Sequence, residues 1–215
     1  YYSFYNEAYT VNDITDFKKL DISRDWKNKN NSFMITGSVL DTTSSDTILR
    51  NIHDPTLFTG YLFKEMLEKK GLFMSGLEKG NLSLRSSKIA SHKSSSLISI
   101  VENLMVESDN LTAELLVKTI GNQTTGLQGN WKNGLHAMRL FLNDEVGMDT
   151  TSFSISDGSG VSRYNYSSAS HFIEFLSWIY NTSNIRDIYL RTLSYTGENG
   201  TLLDRNLPDG IYAKT

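Results

Sequence analysis

The feature that most constrains this chain is a change in hydrophobic period along its length. Between about residues 54 and 180 apolar residues recur every three to four positions, as on one face of a helix. Asp54-Pro55 precedes Leu57, Phe58, Tyr61, Leu62, Met66 and Leu67, and Lys69-Lys70-Gly71 supplies a basic last turn and a C-terminal glycine. Ser94-Ser95-Ser96 caps a second helix carrying Leu97, Ile100, Val101, Leu104 and Met105. A third is expected from about Asn110 to Ile120, stopping at Gly121. The longest is expected from Trp131 to about Val146, with Trp131, Leu135, Met138 and Leu142 on one face, and another from Ser167 to Tyr180. Strand patterns lie outside this stretch, in two segments. Phe33 to Leu40 is β-rich, with Gly37 marking a bulge or close approach, and Gly210 to Thr215 alternates as a strand does. Helices in the middle with strands at the ends give an α+β chain.

Composition narrows the function classes. The 215 residues are 39% hydrophobic with a net charge of −3, and the basic residues are scattered. There is material for a core, and no basic stripe of the kind that nucleic acid or an anionic membrane needs. Cysteine is absent, which removes disulfides, thiolate metal sites and a Cys nucleophile together. His53, His92, His136 and His171 lack the spacing of metal ligands, so no metal is expected. No apolar run reaches the ~18 residues of a membrane-spanning helix. The chain starts at Tyr1 and stops at Thr215 within an expected strand, so a piece of a longer protein is expected. Tyr1 to Asp25 shows no sustained period, and the polar stretch Asp41 to Asp46 makes a boundary.

Chemistry could sit first at Ser108-Asp109-Asn110. All three types are favoured helix N-caps and a helix begins here, so the triplet alone reads as a cap. Its neighbours add weight. Ser91-His92-Lys93-Ser94-Ser95-Ser96 lies upstream. Asp157-Gly158-Ser159-Gly160-Val161-Ser162-Arg163, Gly197-Glu198-Asn199-Gly200-Thr201-Leu202 and Ala213-Lys214-Thr215 follow in order. From about Phe33 to Thr215 this succession resembles the low-molecular-mass class C penicillin-binding proteins, the D-alanyl-D-alanine carboxypeptidase/endopeptidase family.

The resemblance implies a penicillin-recognising (β-lactamase/transpeptidase-like) domain, a helical cluster beside an antiparallel sheet, here incomplete. Residues 1–46 would be the tail of an inserted domain, its aromatic residues buried, and residues 47–215 the C-terminal part of the penicillin-recognising domain. It also implies roles. Ser108 would relay protons to and from the leaving amine, and Asn110 would hydrogen-bond the substrate amide. Lys214 would lend charge near the terminal carboxylate of a D-Ala-D-Ala stem peptide, and Thr215 would hydrogen-bond to it. Asp157 and Ser159 would border the cleft. No cofactor is implied. The partners implied are peptidoglycan stem peptides and, as inhibitors, β-lactams, in the cell envelope.

One departure stands out. The family's nucleophile lies in a Ser-x-x-Lys motif, and no Lys here has Ser three positions before it: Ile211 precedes Lys214 at that distance, Leu115 precedes Lys118 and Ala90 precedes Lys93. A nucleophile upstream of this segment is one account; a non-catalytic wall-binding homologue is the alternative. A β-lactamase is a third reading, disfavoured by the block from Asp157 to Arg163.

Overall fold

The structure, a computed structural model, describes residues 1–214 except 45, 46, 82, 84 and 204, and only the backbone of Thr201. Thr215 lies outside the described residues. The chain forms two compact units, Tyr1–Ile89 and Ala90–Thr215.

In the first unit the β-rich segment makes two strands, β4 (Ser32–Thr36) and β5 (Ser38–Leu40), instead of one. Gly37 parts them at φ 99°, and a Cβ there would stand 2.4 Å from the Lys19 carbonyl oxygen. The close approach expected of Gly37 is therefore real, and the chain turns at it. Ser38 is fully buried and receives the Lys18 N–H on its Oγ at 2.7 Å. The aperiodic N-terminal stretch is not structureless: it holds β1 (Ser3–Asn6), β2 (Tyr9–Val11) and β3 (Asp21–Arg24). β1 runs parallel to β4 and β2 parallel to β5, while β3 is antiparallel to β4, giving the order β1-β4-β3. These strands escape the sequence reading because they are only three or four residues long, too short to show a period.

Helix α1 (Pro55–Glu68) begins as expected, with the Asp54 side chain accepting the Leu57 N–H and Pro55 in the first turn. On its apolar stripe Tyr61, Leu62 and Met66 are exposed, as are Tyr1, Tyr2, Phe4, Tyr5 and Tyr9. The expectation of buried aromatics at the N-terminus is thus overturned. On a three-stranded sheet of short strands there is too little apolar surface to cover them.

The second unit contains α2 (Leu97–Glu107), α3 (Asn110–Thr125), α4 (Trp131–Asp144), α5 (Ala169–Asn181) and α6 (Ser183–Thr192), with β6 (Ser194–Tyr195) antiparallel to β7 (Tyr212–Ala213). Ser96 caps α2, and Ser168 with His171 forms a capping box on α5. Gly121 does not end α3, which continues to Thr125 and closes on Gly126 at φ 67°. The reason is packing: a Cβ on Gly121 would lie 2.7 Å from the Gly134 N, and one on Gly134 only 2.0 Å from the Val117 carbonyl oxygen. The two glycines let α3 and α4 meet backbone to backbone. Phe153 and Ile155 alternate with serines as a short strand would, but no strand forms; Ser154 pairs with Tyr166 in a single bridge. α6 and β6 have no counterpart in the sequence reading. Val117, Leu135, Met148, Phe153, Ile179, Leu193 and Leu202 form the buried core.

Candidate active site

The Ser108-Asp109-Asn110 triplet lies between α2 and α3, and its three residues divide the work. Asp109 is the cap: its carboxylate accepts the Leu111 N–H at 3.0 Å and the Thr112 hydroxyl. The Thr112 bond is the main cause that holds the Asp109 carboxyl below its ordinary range. With capping done by Asp109, Ser108 and Asn110 are not needed for it. Ser108 ends α2 in the left-handed conformation, φ 56° and ψ 46°. Helices usually give that position to glycine or asparagine, and a serine there costs on the order of 1 kcal/mol. Lys214, following β7, donates from Nζ to Ser108 Oγ at 2.7 Å across 106 residues of sequence. An ammonium donor on Oγ makes the serine O–H a stronger donor in turn. Asn110 is the first residue of α3 and is exposed.

Lys214 is brought there by the Gly197 to Leu202 segment. Gly200 opens a 3-10 turn, Gly200–Leu202, that packs Leu202 at 1% exposure into the core. At φ 57°, a Cβ on Gly200 would sit 2.5 Å from Ser194 Oγ and 2.7 Å from the Val106 carbonyl oxygen. The turn therefore lies against the end of α2, two residues before Ser108, and β6 beside it pairs with β7. The glycines and polar residues of this segment suggest a loop with the start of a helix or strand, and the structure shows a 3-10 turn. Its part in seating Lys214 was not foreseen.

Asp157 and Ser159 occupy a loop laid on α3. Asp157 accepts the N–H groups of Gly160 at 2.9 Å and Ser162 at 2.6 Å, and Asn165 Nδ2 at 2.7 Å. Burial pushes its carboxyl up, but these bonds outweigh it and leave it below the ordinary value. Ser159 donates its hydroxyl to Glu114 at 2.6 Å and its N–H at 3.0 Å, while Gly158 N–H reaches the same carboxylate at 3.1 Å and Trp131 Nε1 at 2.7 Å. Burial raises the Glu114 carboxyl and the four donors bring it below its usual range. Glu114 was missed by the sequence reading. Its only signal was its place four residues after Asn110, on the same helical face.

An apolar cleft of about 740 Å³ lies in this unit, lined by Ile120, Met138, Phe141, Phe153, Phe172 and Phe175 among others, and bordered by the Asp157 to Gly160 loop. Ser108, Asn110 and Lys214 do not line it, so of the candidate residues it is Asp157, with its loop neighbours Gly158 and Gly160, that meets this cleft. Among the described residues no cluster of His, Asp or Glu could hold a metal. No helix among the described residues is long and apolar enough to cross a membrane.

Comparison with known proteins accords with this geometry. A D-alanyl-D-alanine carboxypeptidase of Actinomadura sp. (strain R39) is 34% identical over 154 residues, 68% of this chain and 28% of the relative. Two solved structures of penicillin binding protein 4 from Haemophilus influenzae superpose with TM-scores of 0.70 and 0.72 at 20% identity. The first is a complex with a novel β-lactam. They match 99% of this chain, and the chain covers 50% and 48% of theirs. This likeness shows the α+β penicillin-recognising fold. The chain spans under a third of the curated relative and about half of the solved structures. The model of the D-Ala-D-Ala carboxypeptidase 3 (S13) family matches residues 12–214, and the chain belongs to that family.

Proposed function

We propose that the complete protein is a serine-type D-Ala-D-Ala carboxypeptidase or endopeptidase that acts on peptidoglycan stem peptides in the cell envelope through an acyl-enzyme. The nucleophile is a serine outside these 215 residues. The observation that carries the reading is the Lys214 to Ser108 contact, which joins two motifs far apart in sequence. Acyl transfer from a C-terminal dipeptide needs a cation for the terminal carboxylate, donors and acceptors for the flanking amide, and a proton path to the leaving amine. Lys214 supplies the cation, and Thr215 adds a hydroxyl to the same carboxylate. Asn110 holds the amide, and Ser108 carries the proton. Asp157 and Ser159 act at the cleft through their loop; their carboxylate and hydroxyl are engaged within the protein. In this reading residues 1–46 are the end of an inserted domain and residues 47–215 complete the penicillin-recognising domain. β-Lactams, which present a reactive amide next to a carboxylate, are inhibitors. The test is single-turnover acylation of the complete protein by a fluorescent penicillin. Lys214→Ala is expected to slow it about 100-fold, the usual scale for removing one electrostatic contact of an acyl-transfer site. An unchanged rate removes Lys214 from the site.

A further inference from the structure

The loop from Asp157 to Gly160 meets α3 along one line of residues. Gly158 lies so close that a Cβ on it would stand 2.6 Å from the Ala113 carbonyl oxygen and 2.6 Å from Val117 Cγ2. Glu114 takes the loop's two N–H groups and the Ser159 hydroxyl. Ala113, Glu114 and Val117 stand three, four and seven positions after Asn110, so all four share a face of α3. The loop covers that face directly beyond Asn110. Each Glu114 oxygen serves two donors: Oε1 takes Ser159 N–H and Oγ, while Oε2 takes Gly158 N–H and Trp131 Nε1. Trp131, the first residue of α4, is held from its other side by Lys118, whose Nζ sits 3.8 Å from the ring centroid.

We infer that Glu114 is a positioning residue: its carboxylate anchors the 157–160 loop and Trp131 to α3, and so fixes that loop as a wall of the substrate cleft beside Asn110. The inference rests on the acyl-enzyme reading for its effect on substrate and on the hydrogen-bond geometry for the anchor itself. A neutral amide cannot replace the carboxylate. In Glu114→Gln one end accepts as before, but the NH2 end faces two donors and the loop or the Trp131 contact is lost.

The complete protein tests this with two readouts. Glu114→Gln is expected to speed hydrogen exchange at Gly158 and Ser159 about tenfold and to raise the dissociation constant of the pre-acylation penicillin complex about tenfold, the effect of losing bonds to a charged acceptor. The acylation rate within the complex and the fraction of labelled protein stay near wild type. Ser159→Ala keeps both backbone bonds, shifts the same quantities by a smaller factor, and serves if the first variant does not fold. A dissociation constant unchanged in both variants, or a loss confined to the labelled fraction as global destabilisation gives, overturns the inference. The exchange readout needs no penicillin. A wild-type protein that takes up no label would sink the acyl-enzyme reading, whereas unaltered exchange in Glu114→Gln sinks the anchor.

Discussion

At the residue scale the key position is Ser108, a serine held where a glycine would be more comfortable. The left-handed backbone opposes a side chain, and the hydroxyl accepts from Lys214 Nζ. Stability and function therefore pull apart here. Ser108→Gly should raise stability by about 0.5–1 kcal/mol, because glycine accepts this conformation without strain, while acylation by penicillin falls. Thermal melting and labelling rate on the same preparation check it; a fall in both would show that the hydroxyl serves the fold.

The two depressed carboxyls, Glu114 and Asp157, make a second prediction at this scale. A carboxyl whose folded value is lowered adds stability that is fully present above its unfolded value and is lost as pH falls through the folded one. Loop protection should be flat above the ordinary carboxylate range and decline with acidification below about pH 4. Exchange at Gly158 and Ser159 across pH reports it. A decline centred near pH 6 to 7 would point to a histidine instead.

At the scale of elements, close backbone contacts between helices and turns hold the site's parts in register. Gly134 lets α4 touch α3 at Val117, so Gly134→Ala should cost about 1–3 kcal/mol, the range for overpacking a filled interface. Denaturant titration measures it. Gly200→Ala would meet both a positive φ and the Val106 carbonyl, and should loosen β7 from α2, lowering acylation in the manner of a Lys214 variant.

Much at this scale was readable in advance. The starts of α1, α2, α3 and α4 were legible because caps and apolar stripes are local signals, as at Asp54-Pro55 and Ser96. The end of α3 was misjudged because Gly121 looks the same in sequence whether it stops a helix or admits a neighbour. β1 to β3 were illegible because pairing partners, here β4 and β5, lie up to some thirty residues away. At the candidate site, type and order single out Ser108, Asn110 and Lys214, and the structure joins Lys214 to Ser108. Glu114 could not be singled out, since its importance comes from a loop 44 and 45 residues further on.

At the scale of the whole molecule, the chain belongs to the S13 carboxypeptidase family and has its penicillin-recognising fold, yet holds no Ser-x-x-Lys sequence. In the proposed reading the Lys214 to Ser108 pair would supply a cation and a proton relay, which assist a nucleophile but do not replace one. The many large apolar side chains exposed on α5, Phe172, Ile173 and Leu176 among them, fit a unit that is completed by further chain. The most direct measurement is mass mapping of the complete protein after reaction with a β-lactam. The account predicts one covalent adduct, on the serine of a Ser-x-x-Lys motif outside residues 1–215, formed more slowly in Lys214→Ala. An adduct on a serine within these residues, or none on the folded protein, would contradict it.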